Sequence, residues 1–286
     1  MKNSAVLLIS CPDSKGLVAT ISDFVFKHNG NILHADEHAD EGSSLFLMRV
    51  EFDPLEFDID LAEFPKYFSP IADRFQMDWR LARSDCRPRV AVLVSRYDHC
   101  LVDLLYRHKS GELACDIPLI VSNHPDNRAI AEFYDIPFFV IPTLTEREQK
   151  TDAEQKILAL LRKHKPDLIV LARYMQILSP EFVNEYAHRI INIHHSFLPA
   201  FVGAKPYHQA FTRGVKLIGA TSHYVTEVLD DGPIIEQDVI RISHSDSLEH
   251  LLQKGRDLEK VVLSRAVRWH IENRILLYGN KTVVFH

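Results

Sequence analysis

Four short runs of almost unbroken apolar residues, Val90–Ser95, Ile117–Ser122, Ile136–Ile141 and Asp167–Ala172, alternate with stretches of helical character at Leu101–Tyr106, Asn127–Tyr134 and Glu146–His164. A strand with no polar alternation has no face to offer water, so both faces must be covered. Crossover helices cover both faces when the strands run parallel, so this part of the chain predicts an α/β fold with a mostly parallel sheet. Ile190–His194 and Lys216–Val225 extend the series. The cluster Leu229-Asp230-Asp231-Gly232-Pro233 then leads into Ile234–Arg241, as expected for an antiparallel hairpin at a sheet edge. Leu248–Leu277 reads as a closing helix.

The first part has a different rhythm. Ala5–Ser10 reads as a strand, ended by the turn Cys11-Pro12-Asp13-Ser14-Lys15-Gly16. Leu17–Lys27 repeats its apolar residues at helical spacing and is closed by Asn29-Gly30. Asn31–His38 and Ser44–Phe52 read as paired strands, Glu63–Arg74 as a second helix and Met77–Ala82 as a fourth strand. The order βαββαβ predicts a ferredoxin-like sandwich. The polar stretch before Val90 contains Pro88 and is the best linker, which divides the chain into 1–83, a linker 84–89, and 90–286.

Composition excludes several classes. With 46% apolar and 25% charged residues the chain can build cores, and its net charge of -6 argues against a nucleic-acid partner. No apolar run is long enough to span a membrane, so no membrane partner is expected and the cytoplasm is the expected compartment. The four cysteines are far apart and form no C-x-x-C pair, and the sixteen histidines show neither H-E-x-x-H nor H-x-x-x-H spacing. No metal is expected. Neither G-x-G-x-x-G nor G-x-x-x-x-G-K-[ST] occurs, which disfavours a dinucleotide or ATP, and no G-x-S-x-G marks a serine nucleophile.

Chemistry concentrates at the end of Ile190–His194. Period two puts Asn192 and His194 on one face, at the carboxyl end of a strand, where open α/β sheets bind their ligands. An isolated N-x-H is ordinarily a strand-end cap and a core histidine, and an Asp-Asp-Gly is ordinarily only a turn. Together, an amide, an imidazole and the Asp230 carboxylate can carry acyl transfer through a tetrahedral oxyanion.

Asn192-Ile193-His194, Ser196-Phe197-Leu198-Pro199, Gly203, Gln209-Ala210 and Leu229-Asp230-x-Gly232-Pro233 together resemble the formyltetrahydrofolate-dependent formyltransferases. The likeness covers about residues 89–241. Cys11-Pro12-Asp13-x-x-Gly16-Leu17-Val18 resembles the start of an ACT regulatory domain, and ACT followed by a Rossmann-like formyltransferase domain is the arrangement of the formyltetrahydrofolate deformylases. That resemblance implies hydrolysis of 10-formyltetrahydrofolate to tetrahydrofolate and formate, feeding purine synthesis and balancing one-carbon pools. The folate is then substrate, and no cofactor is expected. It implies that Asn192 and His194 polarise the formyl oxygen, and that Asp230 orients His194 or a water and passes a proton. Met175, Gln176, Ile177 and Leu178 would line the pterin pocket, with Val225, Thr226, Glu227 and Leu229 in the folate loop. His223 would lie behind the catalytic pair or in the pocket. The ACT likeness implies an amino-acid effector, glycine or methionine, at Asp13, Gly16 and Leu17, and a homo-oligomer paired through that domain.

One stretch departs from the transferases. Where the ribonucleotide enzymes resembled here carry a glycine-containing phosphate loop, this chain has Ser95-Arg96-Tyr97-Asp98-His99-Cys100-Leu101. Side chains there obstruct the close backbone approach a phosphate needs, so water is expected as the nucleophile. Transfer to an amine, and a non-catalytic folate or amino-acid sensor, stay open as alternatives.

Overall fold

A computed structural model describes residues 3–143, 147–200 and 206–286. The chain divides into two compact units, residues 1–86 with 272–286, and residues 87–271.

The first unit begins with β1 (Ala5–Pro12), α1 (Leu17–Lys27), β2 (Asn31–Asp40), β3 (Leu45–Asp53), α2 (Phe64–Arg74) and β4 (Asp78–Arg83). The strands order as β2-β3-β1-β4 and the neighbouring pairs are antiparallel, the split βαβ arrangement. The alternation along β1 sends Leu7 and Ile9 to the helix-covered face, where they pack with Ile21, Phe24, Phe52, Phe64 and Phe68. The other face, with Val6, Leu8 and Leu47, packs against Leu276, Val283 and Phe285.

Those last residues correct the expected closing helix. The helix stops at Ile271, Asn273 takes a left-handed φ of 54°, and a hairpin follows: β12 (Ile275–Tyr278) and β13 (Lys281–Val284). Gly279 and Asn280 form its turn, with Gly279 at φ 54°, where a side chain would be strained. Ile275, Leu276 and Leu277 continue the apolar content of the helix, which hid the change of period. Residues 272–286 therefore group with the first unit and not with 90–286. Within that unit Arg49 Nε donates to the carbonyl of Asn273 at 3.0 Å.

The second unit runs β5 (Arg89–Val94), α3 (His99–Lys109), β6 (Asp116–Ser122), α4 (Arg128–Phe133), β7 (Phe138–Val140), α5 (Arg147–His164), β8 (Leu168–Ala172), α6 (Pro180–Glu185), β9 (Ile190–His194), α7 (Pro206–Arg213), β10 (Leu217–Tyr224), β11 (Ile234–Arg241) and α8 (Leu248–Ile271). Its seven strands order as β11-β10-β9-β8-β5-β6-β7. β7, β6, β5, β8 and β9 are parallel, while β10 and β11 add an antiparallel edge. This is the mostly parallel, Rossmann-like sheet that the apolar runs demand. Every residue of β8 is buried, as two-sided cover requires. After β5 the chain goes to β6 on one side and to β8 on the other, so the carboxyl ends of β5 and β8 flank a topological switch point. No helix among the described residues is long and apolar enough to cross a membrane.

Candidate active site

A cavity of about 540 Å³ opens at that carboxyl edge. It is lined by Asn192, His194 and Asp230, and also by Met175, Gln176, Ile177, Leu178, His223, Val225, Thr226, Glu227 and Leu229. Strand pairing explains how the polar groups meet. β10 runs antiparallel to β9 with His223 opposite Asn192, so the two side chains leave the same face as neighbours. Asn192 Nδ2 lies 3.2 Å from His223 Nε2, and His223 Nδ1 lies 2.9 Å from the carbonyl of Tyr224. A carbonyl only accepts, so Nδ1 carries the ring proton and Nε2 accepts from Asn192. Burial holds the His223 imidazole below its ordinary pKa, which keeps this tautomer neutral. Asn192 is thereby oriented with one amide hydrogen engaged and the second free.

Asp230 arrives from the β10–β11 connection. Its φ of 57° is a left-handed conformation that a short polar side chain tolerates, and it bends the chain back over the strand end. The close approach rests on Gly232, where an added Cβ would meet the carbonyl oxygen of Tyr224 at 1.7 Å. Asp230 Oδ1 comes to 3.3 Å from His194 Nδ1 and 3.8 Å from His223 Nε2. Burial alone would raise the Asp230 pKa, but the hydrogen bond and charge of His194 outweigh it, and the carboxyl sits below its ordinary range. Asp230 is thus an anion on one nitrogen of His194. The other nitrogen, Nε2, is buried with no hydrogen-bond partner.

The chain after β9 is clamped by Thr221, whose hydroxyl donates to Ser196 O at 2.8 Å and accepts from Leu198 N at 3.0 Å. Gly203, part of the recognised motif, lies outside the described residues.

The apolar part of the cavity is built by strain. Arg173 and Met175, at φ 62° and 59°, flank Tyr174, which is buried in the core of this unit. Leu178 and Val225 pack against that core, but Met175 is 53% and Ile177 58% exposed, and Val228 and Leu229 are exposed as well. Large apolar side chains gathered at a cavity mouth mark a surface that takes an apolar ligand.

The same cavity holds a group that the sequence reading missed: Tyr97, His99, Arg173, His195, Tyr207 and Glu259. Glu259, 1% exposed, accepts from His99 Nε2 at 2.7 Å and from Tyr207 Oη at 2.8 Å. Arg173 Nε stands 3.5 Å from Glu259 Oε2. Against the cost of burial, these partners hold the Glu259 carboxyl below its ordinary pKa. His99, Cys100 and Glu259 also bring potential metal-ligand atoms within 4.8 Å of one another. Burial pushes the Cys100 thiol well up, and Arg173 supplies a positive charge beside Glu259. Signals for this group existed. Arg173 directly follows the all-apolar β8, and Glu259 interrupts the buried stripe of α8 between Leu258 and Val262.

The residues expected to bind an effector lie in the first unit. Asp13 and Gly16 are exposed in the β1–α1 turn, with Gly16 at φ 90°. Leu17 is 2% exposed and its side chain belongs to the core, which leaves only its backbone for a ligand.

A mostly parallel sheet with an amide, an imidazole and a carboxylate converging at its carboxyl edge is equipped for acyl transfer, and the chain belongs to the formyl transferase family, whose model matches residues 88–267. Over its full length it is similar to the formyltetrahydrofolate deformylase of Synechocystis sp., at 54% identity covering 99% of this chain and 98% of that protein. The crystal structure of a formyltetrahydrofolate deformylase from Pseudomonas syringae pv. tomato matches with a TM-score of 0.97 at 52% identity, covering 100% of this chain and 95% of that one. Glycinamide ribonucleotide transformylase 1 from Symbiobacterium toebii matches with a TM-score of 0.66 at 26% identity, covering 70% of this chain and 95% of that one.

Proposed function

We propose that the chain hydrolyses 10-formyltetrahydrofolate, releasing tetrahydrofolate and formate. The observation that carries this reading is the buried, unpartnered Nε2 of His194, backed by the Asp230 anion in a cavity shared with Asn192 and an exposed apolar rim. The rim, from Met175 to Leu178 and from Val225 to Leu229, suits the flat pteridine and its aryl extension.

The proton chemistry follows from the two ring nitrogens. A carboxyl held below its usual range is a poor base on its own, so Asp230 aligns the ring and the proton goes to Nε2. Water adds to the formyl carbon as His194 Nε2 takes its proton. The oxyanion accepts from the free amide hydrogen of Asn192, and a donor so placed is worth about 3 kcal/mol. The imidazolium, paired with Asp230, returns the proton to N10; the C–N10 bond breaks, and formic acid ionises to formate.

Water rather than an amine is the acceptor in this reading. Similarity to the deformylases is full-length, whereas the transformylase covers 70% of this chain. Formate release by the purified protein with no amine present tests the reading. Turnover only with an amine would establish the transferase, and folate binding without turnover the sensor.

We assign the first unit to the ACT class on its strand order and its Asp13–Gly16 turn, with glycine or methionine as effector. Its edge strands β2 and β4 are the surfaces through which copies would pair into an oligomer. The buried free thiols of Cys11, Cys100 and Cys115 suit a cytoplasmic setting.

A further inference from the structure

The hydrolysis proposed above makes an anion, and the cavity contains a buried cation, Arg173, whose hydrogen-bond donors are not all engaged. Arg173 is 8% exposed, and its Nε and Nη1 are buried without a hydrogen-bond acceptor. The nearest carboxylate does not fill this need. Both oxygens of Glu259 already accept short hydrogen bonds, from His99 and Tyr207, and the 3.5 Å to Arg173 Nε is an ion-pair distance. A guanidinium cannot shed its proton to escape burial, and a buried N–H left without an acceptor is destabilising. Arg173 is also positioned by strain, at φ 62°, immediately after β8.

The surroundings define what Arg173 would hold. A missing acceptor beside a cation calls for an acceptor-only anion. The His194 and His195 rings are 5.3 Å apart and the His195 and Tyr207 rings 5.9 Å, so the wall runs without a break from the hydrolytic pair to the partners of Glu259. The Arg173 charge reaches His195, where it adds to burial in pushing the imidazole down to about 3, so His195 is a neutral wall and not a rival cation. Arg256, 5.7 Å from the centre of the Tyr97 ring, is exposed and adds positive charge there.

We propose that Arg173 is the seat of the formate product, receiving the anion after it leaves the carbon–nitrogen bond at His194. The proposal rests on the deformylase reading for the identity of the anion. A carboxylate would be taken at the Nη1 end of the guanidinium, while Nε faces Glu259.

The experiment is a titration of ¹³C-formate into the whole protein in chloride-free buffer, followed by ¹³C line broadening, with no folate present. Wild type is expected to bind formate, Arg173→Gln to weaken it at least tenfold, and Arg173→Lys, which keeps the charge but loses the planar fork, to fall between. Circular dichroism shows whether each variant is folded, and Arg173→Lys alone decides if Arg173→Gln is not. Equal formate affinity in wild type and the folded variants, or no binding to wild type, overturns the proposal. Displacement by chloride at the same concentration as by formate overturns the assignment to formate. The titration needs no turnover. Formate binding lost in Arg173→Gln, in a protein that releases none from 10-formyltetrahydrofolate, sinks the deformylase reading and its naming of the anion, leaving only an anion site. Normal release with formate binding indifferent to Arg173 sinks the site alone.

Discussion

Asp230 Oδ1 stands 3.3 Å from Nδ1 of His194 and, by engaging that nitrogen, leaves the buried, unpartnered Nε2 as the ring nitrogen able to take a proton. The contact is made by an antiparallel edge on a parallel sheet: β10 returns along β9, and the chain beyond it folds back over the strand end where His194 sits. Replacing Asp230 with Asn removes the anion and permits the wrong tautomer of His194. Formate release is expected to fall by about 10²–10⁴-fold, with the circular dichroism spectrum unchanged. Turnover near wild type would remove Asp230 from the mechanism.

Asn192→Ala removes the proposed oxyanion donor and the hydrogen bond to His223 Nε2. The expected loss in kcat is about a hundredfold, equivalent to about 3 kcal/mol, with little change in KM because the folate rim is untouched. Steady-state kinetics separate the two. A rise in KM at constant kcat would make Asn192 a binding group.

Gly232→Ala is expected to lose both activity and stability. The new Cβ would fall on a backbone carbonyl, that of Tyr224, which cannot move aside as the tip of a side chain can. The same carbonyl fixes the His223 tautomer, so the damage reaches Asn192. Thermal unfolding and formate release measure the two effects, and a variant with wild-type midpoint and rate would show that the turn is not needed.

The fold and the site were unequally legible from residues alone. β9 was readable to the residue because an apolar strand interrupted only by Asn192 and His194, both on one face, has one consistent register, and the motif around it limits the family. Period could not mark the end of α8, since Ile275–Tyr278 is as apolar as the helix before it; only the left-handed Asn273 and the Gly279-Asn280 turn separate them. α7 went unread because its eight residues are too few for the Tyr207 and Ala210 pair that it buries to show a period. The cluster of Arg173, Glu259 and Tyr207 depends on β8, α8 and α7 converging, and contact between distant segments has no local signature.

Acid should weaken the fold through the buried imidazoles. His195 is held down to about 3, chiefly by burial, and His223 is lowered by the same cause. In the unfolded chain both take up protons near the ordinary value of about 6.5, while the folded chain resists, so unfolding binds protons and stability falls as pH drops from about 6.5 towards 3. The slope is at most about 1.4 kcal/mol per pH unit for each group. Urea unfolding at pH 7 and pH 5 should show the loss, and His195→Gln should reduce it. An equal loss in that variant would show that His195 does not contribute.

The most direct test of water as the attacking group is turnover of 10-formyltetrahydrofolate in H₂¹⁸O without any amine. Formate carrying one ¹⁸O, formed in step with tetrahydrofolate and at a rate indifferent to added primary amines, is the expected result. A protein that is silent until an amine is supplied, and then yields a formylated amine with no labelled formate, would contradict it.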